Sequence, residues 1–303
     1  MAWFEEFDKI AASRFPDMEV LKEEPMEKHT TFRLGGPVRR MARPDSPEDC
    51  TALLELAEEK GWPVLLVGNG SNLLAADGGI DLLAIRTGGV DWINRAGERI
   101  VRAGAGVSLA RLASFAMREG LDGLAFAHGI PGTLGGAVCM NAGAYGGEMK
   151  QVISRVTAWF PGDGLRVLDA EELDLRYRHS VFSEKRGAVL WAELLLEPGD
   201  PAAIRAVMED LGRRRREKQP LEYPSAGSTF KRPPGHFAAA LIDQCGLKGL
   251  TVGGAQVSEK HAGFIVNTGG ASCADVLSLI GEIQRTVREK TGVELEPEVK
   301  VVP

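Results

Sequence analysis

The chain has 303 residues, 44% of them hydrophobic and 26% charged, with a net charge of −6. At roughly 100–200 residues per domain this is room for two domains with sizeable cores, and the acidic balance excludes a general nucleic-acid binder. No stretch is apolar and long enough to suggest a membrane span, and the four cysteines, Cys50, Cys139, Cys245 and Cys273, form no Cys-x-x-Cys pair. They read as buried small hydrophobes rather than zinc ligands or a redox pair, and no metal site is expected.

In chain order, the opening MAWFEEFDKIAASRF is amphipathic and acidic where a signal peptide is basic and then apolar, so a cytoplasmic protein is expected. Ser46-Pro47-Glu48-Asp49 predicts a helix over 46–60: a capping hydroxyl, proline in the first turn, acids at the positive dipole end, and Gly61 as the stop. The apolar run VLLV at 64–67 predicts a strand, followed by the glycine loop 68–72 and a second strand over 82–85. Further strands are expected at 100–103, 152–160 and 189–196, and a helix at 109–119. Many short strands with glycine-rich connections fit an α+β domain better than a doubly wound sheet. Glu197-Pro198-Gly199-Asp200-Pro201 is a turn cluster and marks the expected boundary, giving domains 1–200 and 201–303. A helix over 202–217 ends in the basic run RRRR at 213–216, whose plain reading is a solvated helix end. Residues 218–237 are too rich in proline and glycine for regular structure, Ser272 and Asp275 resemble a capping box, and the helix they open stops at Gly292 before a final strand over 293–302.

Two segments carry more glycine than turns require. Gly68-Asn69-Gly70-Ser71-Asn72 directly follows a strand, and residues 128–148 hold seven glycines. Such density allows backbone amides to approach an anion or a flat ring, and two such loops suffice for a dinucleotide. The spacing matches neither G-x-G-x-x-G with its distal acid nor a Walker A loop, so any dinucleotide is held by another fold. Three further clusters stand out: Tyr177, Arg178 and Ser180; Ser225, Ser228, Lys231 and Arg232; and Glu296 with Glu298. Each has a structural reading of its own: a surface ion pair for Arg178, a turn hydroxyl for Ser228, an outward strand residue for Glu298. If 293–300 is one strand, period-two geometry puts Glu294, Glu296 and Glu298 on one face, and the pattern does not separate them.

Taken together, HTTFRLGGP, GNGSNLL, GIPGTLGGAVCMNAGAYGGE, YRHSVF, AGSTFKRPPGHF, LIDQCGLKG, GGAQVSEKHAGFIVN and LEPEVK, in this order over nearly the whole chain, resemble the UDP-N-acetylenolpyruvoylglucosamine reductase family. The resemblance implies a vanillyl-alcohol oxidase (PCMH)-type FAD-binding region followed by a smaller C-terminal α+β substrate domain. It also implies FAD held non-covalently and reduction of UDP-N-acetylglucosamine enolpyruvate to UDP-N-acetylmuramate for peptidoglycan, with NADPH as hydride donor. Carried onto this sequence, it makes Ser228 the proton donor and Arg178 and Glu298 the residues that stabilise the enolic intermediate. Contacts to FAD are implied for Gly68, Asn69, Gly70, Ser71, Asn72, Pro131, Gly132, Thr133, Gly136, Asn141, Gly143, Tyr145 and Gly146, and contacts to substrate for Tyr177, Lys218, Lys231 and Arg232.

Only 50 positions separate Arg178 from Ser228, so the chain resembles the shorter version of the family, without the loop that supplies a tyrosine over the substrate. FKRPP stands where the longer version has F-K-N-P, which leaves Lys218, Lys231 and Arg232 as candidates for the diphosphate, and the basic run before Lys218 suits attraction of a dianion. Thr133 stands where serine or cysteine is usual. A monomer is expected. The competing readings are a flavin oxidase with FAD attached through His128, in which Ser228 and Glu298 have no role, and a nucleotide-binding regulatory module without catalysis.

Overall fold

A computed structural model describes residues 2–303. The chain divides into two compact units, neither of them one run of sequence: residues 2–22, 40–69 and 82–214 form the first, and residues 23–39, 70–81 and 215–303 the second.

In the first unit an antiparallel five-stranded sheet runs in the order Gly164–Asp169, Ile153–Phe160, Ala188–Leu195, Ile100–Gly104, Ile93–Arg95. Helix α1 (Trp3–Arg14) and helix α2 (Pro47–Lys60) build a core with Trp159, Ala188 and Leu190 of that sheet. A separate core joins other residues of the sheet to helix α3 (Leu109–Arg118) and the short helix α4 (Leu134–Cys139). Helix α2 forms as its sequence dictates. Ser46 Oγ accepts from Asp49 N at 3.0 Å, and Gly61, at φ +66°, takes the left-handed position that closes the helix. Burial pushes the Cys50 thiol up to about 12 and raises that of Cys273 as well, with Cys245 also buried, so these cysteines pack as hydrophobes.

The strand Val64–Val67 runs parallel to Ile80–Arg86, in a four-stranded sheet completed by Pro37–Arg43 and Glu19–Pro25. Helix α5 (Pro201–Lys218) carries the chain from the first unit to the second, between Arg214 and Arg215.

The second unit packs helix α6 (Ala238–Gln244) and helix α7 (Cys273–Thr291) with a three-stranded antiparallel sheet, Thr251–Val252, Ala255–Val257 and Ile265–Asn267. The capping box at Ser272 and Asp275 forms as expected, and Asp77 adds two bonds that sequence pattern did not reveal, accepting from Cys273 N at 2.7 Å and Ala274 N at 3.1 Å. The compact units do not follow sequence order, for a physical reason. Leu73–Ala75 pairs in parallel with Lys300–Val302, which draws an early segment into the later unit. The strand expected over 293–302 is also shorter: only Lys300–Val302 is a strand, preceded by an isolated bridge from Phe230 to Pro297. Pro297 has no N–H to donate and breaks the ladder.

One ion pair in the first unit is nearly buried. Arg40, 6% exposed, grips Asp8 with Nε to Oδ1 at 2.7 Å and Nη2 to Oδ2 at 2.9 Å, and Lys22 adds a third contact at 2.8 Å. The hydrogen bonds from Arg40, first, and the neighbouring Lys22 hold the Asp8 carboxyl below its ordinary range. A depressed native value means that this contribution is complete above the ordinary carboxylate range and is lost as pH falls through the native value. Urea unfolding of Asp8→Asn at neutral pH is expected to show a loss of about 1.5–3 kcal/mol, shrinking towards zero at strongly acidic pH; a loss independent of pH would contradict this.

Candidate active site

The strand end at Val67 delivers Gly68 and Asn69 onto the segment 131–133. Asn69 Nδ2 donates to Pro131 O at 3.1 Å, and a Cβ on Gly68 would stand 2.4 Å from Thr133 Oγ1, so a side chain there would have to displace that of Thr133. Thr133 is 2% exposed and its hydroxyl has no hydrogen-bond partner. An unsatisfied buried hydroxyl costs roughly 1–3 kcal/mol, a cost removed when a ligand with a polar atom lies against it. The segment is fixed by Leu109 N to Gly132 O at 3.1 Å, Leu134 N to Val107 O at 2.8 Å and Gly135 N to Ala105 O at 2.9 Å, while Pro131 and Gly136 are exposed. Small residues, exposed backbone and a buried hydroxyl without a partner fit a flavin nucleotide such as FAD.

The rest of the first loop belongs to the second unit. Gly70, at φ +58°, is packed so that a Cβ would meet His29 O at 2.1 Å. Asn72 faces the chain terminus: its Nδ2 donates to Glu298 O at 3.0 Å and its carbonyl accepts from Lys300 N at 2.9 Å. Asn72 thereby sets the Glu298 backbone, a link no local pattern could reveal.

The second loop folds as a small hairpin, Gly143–Ala144 against Gly147–Glu148, with Tyr145 and Gly146 exposed at its tip and both at positive φ. Asn141 is turned inward. It is 1% exposed, donates from Nδ2 to Glu148 Oε2 at 3.0 Å and Arg176 O at 3.1 Å, and accepts at Oδ1 from Lys150 N at 2.8 Å. Arg178 and Tyr177 form the tip of a second hairpin, closed by Arg176 N to His179 O and His179 N to Arg176 O, both at 3.1 Å. The Arg178 guanidinium carbon lies 5.3 Å from the centre of the exposed Tyr177 ring. Ser180 is fully buried, with Oγ donating to Cys139 O at 2.7 Å. His128 ends the short 3-10 turn Ala125–Ala127.

Asp174, His179 and Glu184 bring their ligand atoms within 4.8 Å of one another, but Arg176 Nη2 stands 2.6 Å from Asp174 Oδ2 and 2.8 Å from His179 Nε2. The guanidinium supplies the charge that a cation would, and the Arg176 hydrogen bond, first, lowers the Asp174 pKa.

In the second unit, Ser228 pairs with Phe264, and Thr229 O accepts from Glu298 N at 2.7 Å. This bond sets the backbone of Glu298 beside the residue that follows Ser228. Lys231 N donates to Glu296 O at 2.9 Å, and Lys231 Nζ pairs with Glu296 Oε1 at 2.5 Å. Glu294 and Glu296 have exposed side chains and Glu298 is half-buried, so the three acids do not share one environment. Ser228 is exposed. Arg232 lies over the Phe237 ring at 4.3 Å, and Lys218 is exposed at the end of α5, where Arg213 and Arg214 of the basic run both pair with Asp210. Ser228, Glu298, Lys231 and Asn72 are thus drawn together by hydrogen bonds of the backbone and of the Asn72 side chain. Among the described residues no helix is long and apolar enough to cross a membrane.

Residues 219–302 match the C-terminal domain of UDP-N-acetylenolpyruvoylglucosamine reductase, and residues 38–168 match an FAD binding domain. Among curated proteins the chain is similar to UDP-N-acetylenolpyruvoylglucosamine reductase of Agathobacter rectalis, 48% identical with 98% of each chain covered. It is similar too to that of Caldanaerobacter subterraneus, 47% identical with 94% of this chain and 96% of the relative covered. The crystal structure of UDP-N-acetylenolpyruvylglucosamine reductase (MurB) from Thermus caldophilus has a TM-score of 0.80 and 36% identity, over 94% of this chain and 99% of that one. The chain belongs to the UDP-N-acetylenolpyruvoylglucosamine reductase family.

Proposed function

We propose that this protein reduces UDP-N-acetylglucosamine enolpyruvate to UDP-N-acetylmuramate in peptidoglycan synthesis, with FAD as cofactor and NADPH as hydride donor. The observation that carries the reading is the bond from Glu298 N to Thr229 O, which holds the family's proton donor and its glutamate in one backbone register. The near full-length likeness to reductases of that name supports it.

Gly68 and Asn69, with Pro131, Gly132, Thr133 and Gly136, would hold FAD against bare backbone and the Thr133 hydroxyl, joined by Gly70, Ser71 and Asn72 and by Gly143, Tyr145 and Gly146. Bound there, FAD would supply the hydride chemistry that links NADPH to the enolpyruvyl double bond. Negative charge then grows on the carboxylate side of the substrate, and Arg178, permanently cationic, balances it. Ser228 gives its hydroxyl proton to the carbon next to the carboxylate, completing addition across the double bond, and recovers a proton from solvent. Glu298, in its acid form, donates a hydrogen bond to the carboxylate. Lys218, Arg232 and Lys231, the last paired with Glu296, are the candidates for the diphosphate, and Tyr177 flanks the substrate. The substrate is a water-soluble sugar nucleotide, and the chain acts as a cytoplasmic monomer without a nucleic-acid partner, in keeping with its acidic charge.

Two outcomes test this. Acid precipitation of the purified yellow protein is expected to release FAD into the supernatant, and colour held in the pellet would favour the oxidase with a His128 linkage. Ser228→Ala is expected to keep its FAD and lose roughly 10²–10⁴-fold in kcat, measured as substrate-dependent NADPH oxidation; an unchanged kcat would remove Ser228 as the acid. For Glu298, kcat of the wild type is expected to fall as rising pH removes the acid form, and Glu298→Gln is expected to lack that limb. The same limb in both would show that Glu298 is not the group that must stay protonated.

A further inference from the structure

The Arg178 turn is expensive to make and is held from both sides by one short segment. Arg178 sits at φ +53°, in the left-handed region that costs a residue other than glycine about 1 kcal/mol. Its hairpin has only two loop residues, so the direction of the guanidinium stem follows from how residues 176 and 179 are fixed. On the entry side, Asn141 Nδ2 donates to Arg176 O at 3.1 Å. On the exit side, Ser180 Oγ donates to Cys139 O at 2.7 Å and accepts from Phe182 N at 3.3 Å. Both clamps therefore reach residues 139–141, at the C-terminal end of helix α4.

The two clamping side chains are almost wholly buried, at 1% and 0% exposure. Both amide hydrogens of Asn141 are engaged within the protein, by Glu148 and Arg176, so this side chain has none to offer a flavin. Asn141 is itself at φ +42°, a conformation that asparagine tolerates better than most residues.

We infer that Asn141 and Ser180 are positioning residues that fix the Arg178 hairpin, rather than ligands of the cofactor. This rests on the reading of Arg178 as the residue that balances charge on the substrate. Both residues act through Arg178: loosening either clamp lets the hairpin swing, and misplacement by about 1 Å costs on the order of 10²-fold in rate.

The test is a double-mutant cycle on the FAD-loaded protein, reading the anaerobic rate at which saturating UDP-N-acetylglucosamine enolpyruvate restores the absorbance of the NADPH-reduced enzyme. Asn141→Gly is chosen because glycine keeps the positive φ, and Ser180→Ala removes a single hydroxyl and carries the same cycle if the first variant does not fold. Each is expected to keep its FAD and to slow the step roughly 10–100-fold. In the Arg178→Gln background the same substitutions are expected to slow it by less than about twofold, because the side chain they position is gone. An equal further loss in that background would mean a general structural role and would overturn the inference alone, as would an unchanged rate in both single variants. A wild-type rate in Arg178→Gln would overturn the reading beneath it as well.

Discussion

Gly68 lies so close to Thr133 that the smallest side chain in its place would collide with the threonine hydroxyl. The arrangement of the first unit around its cradle depends on this approach. It lets the strand Val64–Val67 end directly on the 131–133 segment, where Asn69 seals the junction through Pro131. That segment is tied to Ala105 and Val107, just beyond the strand Ile100–Gly104, so the cradle is fixed to the five-stranded sheet rather than carried by a free loop. A site built on sheet and helix ends holds its geometry better than one on long mobile loops. The approach also leaves one buried hydroxyl without a protein partner, the atom that points most directly to a bound cofactor.

The same economy of contacts appears in the chemistry of the second unit. Ser228 and Glu298 are far apart in sequence, yet one backbone hydrogen bond at Thr229 and one side-chain bond from Asn72 fix the glutamate's main chain on both sides. Lys231 and Glu296, the neighbouring charged pair, neutralise each other. Arg178 in the first unit stands on a strained two-residue turn, a cost that the fold offsets with buried hydrogen bonds. Strain retained at a charged residue, with dedicated support, is the pattern of a functional position.

Much of this was legible in the chain. The caps at Ser46 and Ser272, the stops at Gly61 and Gly292 and the strand at 64–67 are local signals, and local physics decides them. The two glycine-dense segments announced close backbone approach, and the order of motifs identified the family. What stayed hidden depends on long-range pairing. The parallel register of Leu73–Ala75 with Lys300–Val302 redraws the units, and no periodicity in either segment encodes it. The break at Pro297 spoils the alternation that made three glutamates look alike, and only the resulting burial separates Glu298 from Glu294 and Glu296. The resemblance implied Asn141 as a contact to FAD; that its amide turns to Glu148 and Arg176 is a tertiary fact. The apolar company of Asn141 in AVCMNAG was the one hint that it would be buried.

The most direct measurement is an anaerobic two-step absorbance experiment on the purified wild-type protein. One equivalent of NADPH is added first, and UDP-N-acetylglucosamine enolpyruvate is mixed in after the yellow colour has bleached. Rapid return of the colour in the absence of oxygen, with one UDP-N-acetylmuramate formed per NADPH consumed, is the expected result. Colour that returns only when oxygen is admitted, with the substrate unchanged, would contradict the assignment of this chain as a reductase of the enolpyruvyl ether.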